Sequence, residues 1–170
     1  MKAPQWLRAL EIPDVCISQA SSAREGRRRF VIHLREGDQI WRVKMDGCWL
    51  TSSSEKKVDY LFWGSSALGR KVIILVELKG KHFGKALEQI ESTLQRTCKR
   101  ADGRGIHTGA HQESPGHDLH QEGVQAYVVL SKGKGVRKRL RERERIRQRY
   151  GIRVYPKSQR FDINNIDALP

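Results

Sequence analysis

The chain has 170 residues, 38% of them hydrophobic and 31% charged, which suits one domain with a real core. Lys and Arg total 33 against 19 Asp and Glu, a net charge of +14, so the natural partner is a polyanion, and nucleic acid is favoured over a membrane surface. No apolar run approaches the roughly 20 residues of a membrane span, and Met1 to Leu10 lacks the pattern of a signal peptide.

Three cysteines, Cys16, Cys48 and Cys98, are odd in number and widely spaced. They read as incidental thiols in a reducing, cytoplasmic setting rather than as a disulfide framework or a zinc site. In chain order, Pro4 to Leu10 reads as a short helix ended by Pro13, and polar Ser18 to Gly26 as a loop. Phe30 to Leu34 and Ile40 to Met45 read as strands joined through Gly37-Asp38 into a hairpin. Cys48 to Leu50 is a short apolar run, and Thr51 to Lys57 a polar loop. Val58 to Trp63 is a strand carrying Asp59, and Gly64 to Arg70 a turn. Lys71 to Lys79 is almost wholly apolar, as befits a central strand covered on both faces.

Beyond Gly84, the positions of Ala86, Leu87, Ile90 and Leu94 predict a helix ending near 97–99. Residues 100–123 read as a loop rich in Gly and His, containing His107, His111, His117 and His120, without the fixed spacing of a zinc site. Val124 to Leu130 is a strand, 131–135 a basic turn, and 136–150 a basic helix stopped by Gly151. Ile152 to Tyr155 is a short strand, and the tail carries no clear signal. Trp41, Trp49 and Trp63 belong to the core or its edge. The sum is a single α/β (α+β) domain, a central mixed sheet flanked by helices.

Asp59 and Glu77-Leu78-Lys79 carry the chemistry. Charged residues within long apolar strands are costly unless partnered or employed. On a strand, Glu77 and Lys79 share one face, and a hairpin with the preceding strand sets Asp59 beside Glu77. Two adjacent carboxylates repel and raise one another's pKa. Mg²⁺, which prefers oxygen ligands, relieves that repulsion, and the Leu78 backbone carbonyl is a further candidate ligand. Lys79 suits stabilisation of phosphate charge or activation of water. Gln89 and Lys85, one turn apart on the following helix, fall at the rim.

The pattern Asp59, Glu77-x-Lys79 and Gln89 resembles the PD-(D/E)XK nuclease superfamily, and looks like its small stand-alone bacterial members over residues 30 to 95. The resemblance implies a restriction-endonuclease-like core and cleavage of phosphodiesters, in DNA rather than RNA. It also implies Mg²⁺, with Mn²⁺ as substitute, on Asp59 and Glu77, with Lys79 as the catalytic lysine and Gln89 as an accessory residue. The naming proline is Val58 here. The upstream glutamate of many members has three candidates, Glu11, Glu25 and Glu36. Alternatives are a catalytically silent binding module of the same fold, or a dimeric resolvase of four-way junctions. A homodimer or a partner subunit that supplies specificity belongs to either reading.

Eight of the thirteen residues from Arg137 to Arg149 are basic. With Lys132 and Lys134 on the turn before them, Arg137, Lys138, Arg141 and Arg145 are the candidate contacts to phosphate. The competing reading is a solvated helix closed by its own ion pairs.

Overall fold

The computed structural model describes residues 12–51, 56–79, 82–97, 123–131 and 139–169. Among these, the strands are β1 (Ile17–Ser18), β2 (Ser22–Glu25), β3 (Arg28–Ile32), β4 (Gln39–Lys44), β5 (Tyr60–Ser65), β6 (Lys71–Lys79), β7 (Gly123–Leu130), β8 (Arg153–Ser158) and β9 (Arg160–Ile163). Two helices, α1 (Phe83–Thr97) and α2 (Leu140–Tyr150), follow β6 and β7.

The main sheet runs β1-β4-β5-β6-β7-β8. Pairing is antiparallel up to β6, and parallel from β6 to β7 and from β7 to β8, where a helix intervenes in the chain. A second sheet, β2-β3-β9, lies on the other side. The expected mixed sheet is therefore present, with both helices packed against one face and the small sheet against the other.

The central strand explains this layering. Val72 to Leu78 are buried without interruption. Ile73 and Leu75 join Leu87, Ile90 and Ile146 under the helices, whereas Val72, Ile74, Val76 and Leu78 join Phe30, Phe62 and Ile163 between the sheets. Each such side chain contributes roughly 1.5–3 kcal/mol by burial. Glu77 falls on the helix-facing side of this strand by simple alternation. Trp41 and Trp63 are buried with ring centroids 5.2 Å apart, and Trp49 packs against the same core.

Four expectations are corrected. The strands flanking Gly37-Asp38 do not pair, because β3 belongs to the small sheet and β4 to the main one. The turn itself forms, with Asp38 accepting hydrogen bonds from the amides of Arg35 and Ala67, but it carries the chain between layers. The supposed loop before Gly26 contains β2, which pairs with β3 across Gly26-Arg27. Gly26 has φ +56°, the left-handed conformation required at the first central position of a tight II′-type hairpin turn. The tail forms β9, which pairs parallel to β3.

The fourth correction concerns cysteine. Cys16 and Cys48, separated by 32 positions in the sequence, form a disulfide with Cα atoms 5.6 Å apart. Cysteine usage therefore gives no support to a reducing compartment. The bridge ties β1 to the segment just beyond β4.

The N-terminal helix, Glu11, Cys98, the histidines of the 100–123 loop, and Lys132 to Lys138 lie outside the described residues. Among the described residues, no helix is long and apolar enough to cross a membrane.

Candidate active site

The β5–β6 register pairs Tyr60 with Val76, so the next position sets Asp59 opposite Glu77. The regular ladder stops there. Val58 would continue it, but the Val58 amide donates instead to Thr93 Oγ1 on α1, at 3.1 Å. The Leu78 amide, left without a strand partner on that side, donates to Asp59 Oδ2 at 2.7 Å. The Asp59 amide in turn donates to Glu77 Oε2 at 3.1 Å. N–H and C=O of one strand residue point the same way, so the Leu78 carbonyl faces the Asp59 side as well.

Glu77 has no exposed surface. Lys79 Nζ stands 3.0 Å from its Oε1, and the lysine side chain is 31% exposed, so it links the buried carboxylate to solvent. That ammonium is the partner of Oε1, which takes no further hydrogen bond from the described residues. Burial, and then the Asp59 charge, push the Glu77 carboxyl up to about 8, against the pull of Lys79. Asp59 is raised to about 6, chiefly by burial, with the Leu78 amide opposing.

Gln89 reaches the same corner, but its amide nitrogen donates to the Lys57 carbonyl at 2.7 Å. Thr93, one turn later, donates to the Gln89 carbonyl at 2.8 Å while accepting from Val58. Together they hold the chain just before Asp59 away from the sheet and against α1. Gln89 is thus engaged with backbone that positions Asp59. Thr93 escaped the sequence reading, although its i+4 spacing from Gln89 was the available signal. Lys57 was also missed. It is buried in spite of its charge and lies 3.5 Å from Asp46 Oδ1.

Of the upstream glutamates, Glu25 on β2 adds to the negative field at Asp59. Glu36 lies near the opposite end of the sheet, before Gln39, which pairs with Ser65. Lys85 is exposed on the first turn of α1.

The residues fit a hard divalent cation with few protein ligands. Glu77 is a wholly buried carboxylate on which the Asp59 charge acts, and no group of three or more His, Cys, Asp or Glu side chains that could hold a metal ion occurs among the described residues. Two carboxylates and a carbonyl leave positions for water and substrate oxygen, as suits Mg²⁺.

The basic helix is largely committed to its own fold. Arg145 pairs with Glu91 of α1 at 2.8 Å, Arg149 with the same carboxylate at 3.4 Å, and Arg147 with Glu144 at 2.8 Å. Arg143 Nε donates to the Val154 carbonyl at 3.1 Å. Arg141 is exposed and forms no ion pair among the described residues. Arg139 pairs with Glu142 at 2.6 Å and lays its guanidinium over Gly84, where an added Cβ would stand only 3.2 Å from it.

No model of a protein family, no curated protein and no solved structure matches the chain.

Proposed function

We propose that the protein is a metal-dependent endonuclease of the PD-(D/E)XK kind, hydrolysing phosphodiester bonds in DNA at Asp59, Glu77 and Lys79. The observation that carries this reading is the unexposed Glu77, whose Oε2 accepts from the Asp59 amide while its Oε1 faces the solvent-reaching Lys79 ammonium at 3.0 Å. A buried carboxylate pair with raised pKa values is a poor device for stability and a good one for binding a cation.

Asp59 and Glu77 would hold the ion, with the Leu78 carbonyl turned to the same side. A bound Mg²⁺ supplies Lewis acidity at the phosphoryl oxygen and lowers the pKa of a coordinated water. The protein residues do the rest. Lys79, anchored by Glu77 yet open to solvent, places a cation where the pentavalent phosphate gathers charge. Gln89 and Thr93 hold the backbone entering Asp59 and so fix its carboxylate against the Leu78 amide. The large positive surplus favours a polyanionic substrate.

The test is incubation of supercoiled plasmid with purified protein in Mg²⁺ or Mn²⁺. Cleavage should occur, stop with excess chelator, and be lost in Lys79→Ala. Cleavage that persists in that variant would sink the assignment.

A further inference from the structure

The small sheet presents a second charged feature. Its register places Arg24 opposite Arg29, and Arg29 opposite Arg160. The residues one position along, Ala23, Phe30 and Phe161, face inward against the main sheet. The three arginines therefore form one row on the outer face, crossing all three strands. All three are exposed.

Like charges directly opposite on neighbouring strands are destabilising. Little on this face offsets the row. Arg160 is held by Asp162 at 2.7 Å, and Asp162 also faces His33 at 3.3 Å. Arg24 donates only to the Gly26 carbonyl, at 3.2 Å. Glu25, the other nearby acid, pairs with Arg28 at 3.4 Å. Arg29, in the middle, makes no side-chain ion pair or hydrogen bond among the described residues. Arg27 extends the positive surface at the exposed hairpin tip.

The row also sits at the end of the molecule that carries the carboxylates. Gln159 bridges the two, since the Arg29 amide donates to the Gln159 carbonyl and the Gln159 amide to the Leu130 carbonyl, each at 2.8 Å. Leu130 is the register partner of Lys79. From the other side, the charge of Glu25 is felt at Asp59.

We infer that the Arg24–Arg29–Arg160 row is a docking surface for the phosphate backbone of duplex DNA, at the end of the molecule that carries the carboxylate corner. This rests on the nuclease reading for the use made of the duplex, not for its binding. Three cations in line across a sheet, two with no ion pair among the described residues, are costly in isolation and complementary to a row of phosphates.

The test measures binding without cleavage. Fluorescence anisotropy of a labelled 20-base-pair duplex is followed over a salt series in excess chelator, with Glu77→Gln as the parent. Replacing all three arginines by Gln should weaken binding at least tenfold, and lower the slope of log affinity against log salt by about 3. Arg29→Gln alone, which breaks no ion pair, should lower the slope by about 1 with an unchanged or higher melting temperature. It carries the test if the triple variant folds poorly. Unchanged affinity and slope in Arg29→Gln would overturn the inference. So would polyglutamate displacing the duplex as effectively as unlabelled DNA at equal charge, which would assign the row to an acidic protein partner. Failure of the nuclease reading is separate, appearing as duplex binding with no cleavage in the unsubstituted protein.

Discussion

α2 and the carboxylate corner handle charge in opposite ways. The helix carries the densest run of charge in the sequence, yet most of its described arginines have acidic or carbonyl partners, several within a turn of the same helix. Among the described residues the corner brings together Asp59, Glu77 and Lys79, and Glu77 is wholly buried, with its charge disfavoured by burial and by Asp59. Density of charge in the sequence therefore says little about unmet charge in the fold. Unmet charge depends on what burial removes and what neighbours return.

The largest test of this contrast is Glu77→Gln. On the proposed chemistry it should reduce plasmid cleavage by at least about 10²-fold, while the far-ultraviolet circular dichroism of the protein stays native. The amide has the shape of the protonated acid, so the fold should accept it. Unimpaired cleavage would return the corner to the status of a structural pair.

Stability at the edge of the corner should depend on the Cys16–Cys48 bridge, which closes a 32-position separation. In the chain-entropy account, its reduction costs about 3–4 kcal/mol. Denaturant midpoints with and without a dithiol should separate accordingly, and Cys16→Ser should melt at the reduced midpoint under both conditions.

The pH dependence has a definite sign. Glu77 holds its proton more tightly when folded, with a pKa near 8 against an ordinary value of 4.5. Its contribution is complete below about pH 4.5 and lost as pH rises towards 8. In chelator, the melting temperature of the protein should thus fall over that window, and Glu77→Gln should flatten the fall. The expected change is of the order of a few kcal/mol. Mg²⁺ should raise the melting temperature more at pH 8 than at pH 5, since the ionised pair binds it.

The clamp that positions Asp59 should give a smaller effect. Thr93→Val keeps the shape but leaves the Val58 amide without its acceptor, a cost of about 1–2 kcal/mol in thermal unfolding. Thr93→Ser, which keeps the hydroxyl, should restore most of it.

How much of this was legible follows from where each signal resides. β6, α1 and β7 announced themselves through apolar periodicity, and Asp59 with Glu77 and Lys79 followed from alternation along paired strands. The small sheet did not. β2 contributes one buried apolar residue, Ala23, so its alternation was too faint to read. The Gly37-Asp38 turn was visible as a turn, but whether a turn joins partners or crosses layers depends on packing far away, here on β9. The arginine row is a property of register between a hairpin, which carries Arg24 and Arg29, and a strand more than a hundred positions later, and no local window contains it. The disulfide was hidden likewise by a separation of 32 positions. Gln89 was found as an accessory residue at the rim, but its bond to the Lys57 carbonyl was not, because that bond depends on Val58 leaving the sheet.

The finest test lies between the helices. Glu91 is only 14% exposed and holds both Arg145 and Arg149. If α2 is a packing element, Glu91→Gln should cost about 1 kcal/mol of stability and leave two guanidinium groups without their acid. Those groups project beside α1, so their release should strengthen duplex binding slightly and steepen its salt dependence, the reverse of the effect at Arg29. Arg145→Gln should lower stability comparably and leave duplex affinity nearly unchanged, because its charge is already answered by Glu91. A tenfold loss of duplex affinity in Arg145→Gln, with stability intact, would invert the contrast. It would mean that the Glu91 pair opens on binding and that the basic helix is the principal phosphate contact.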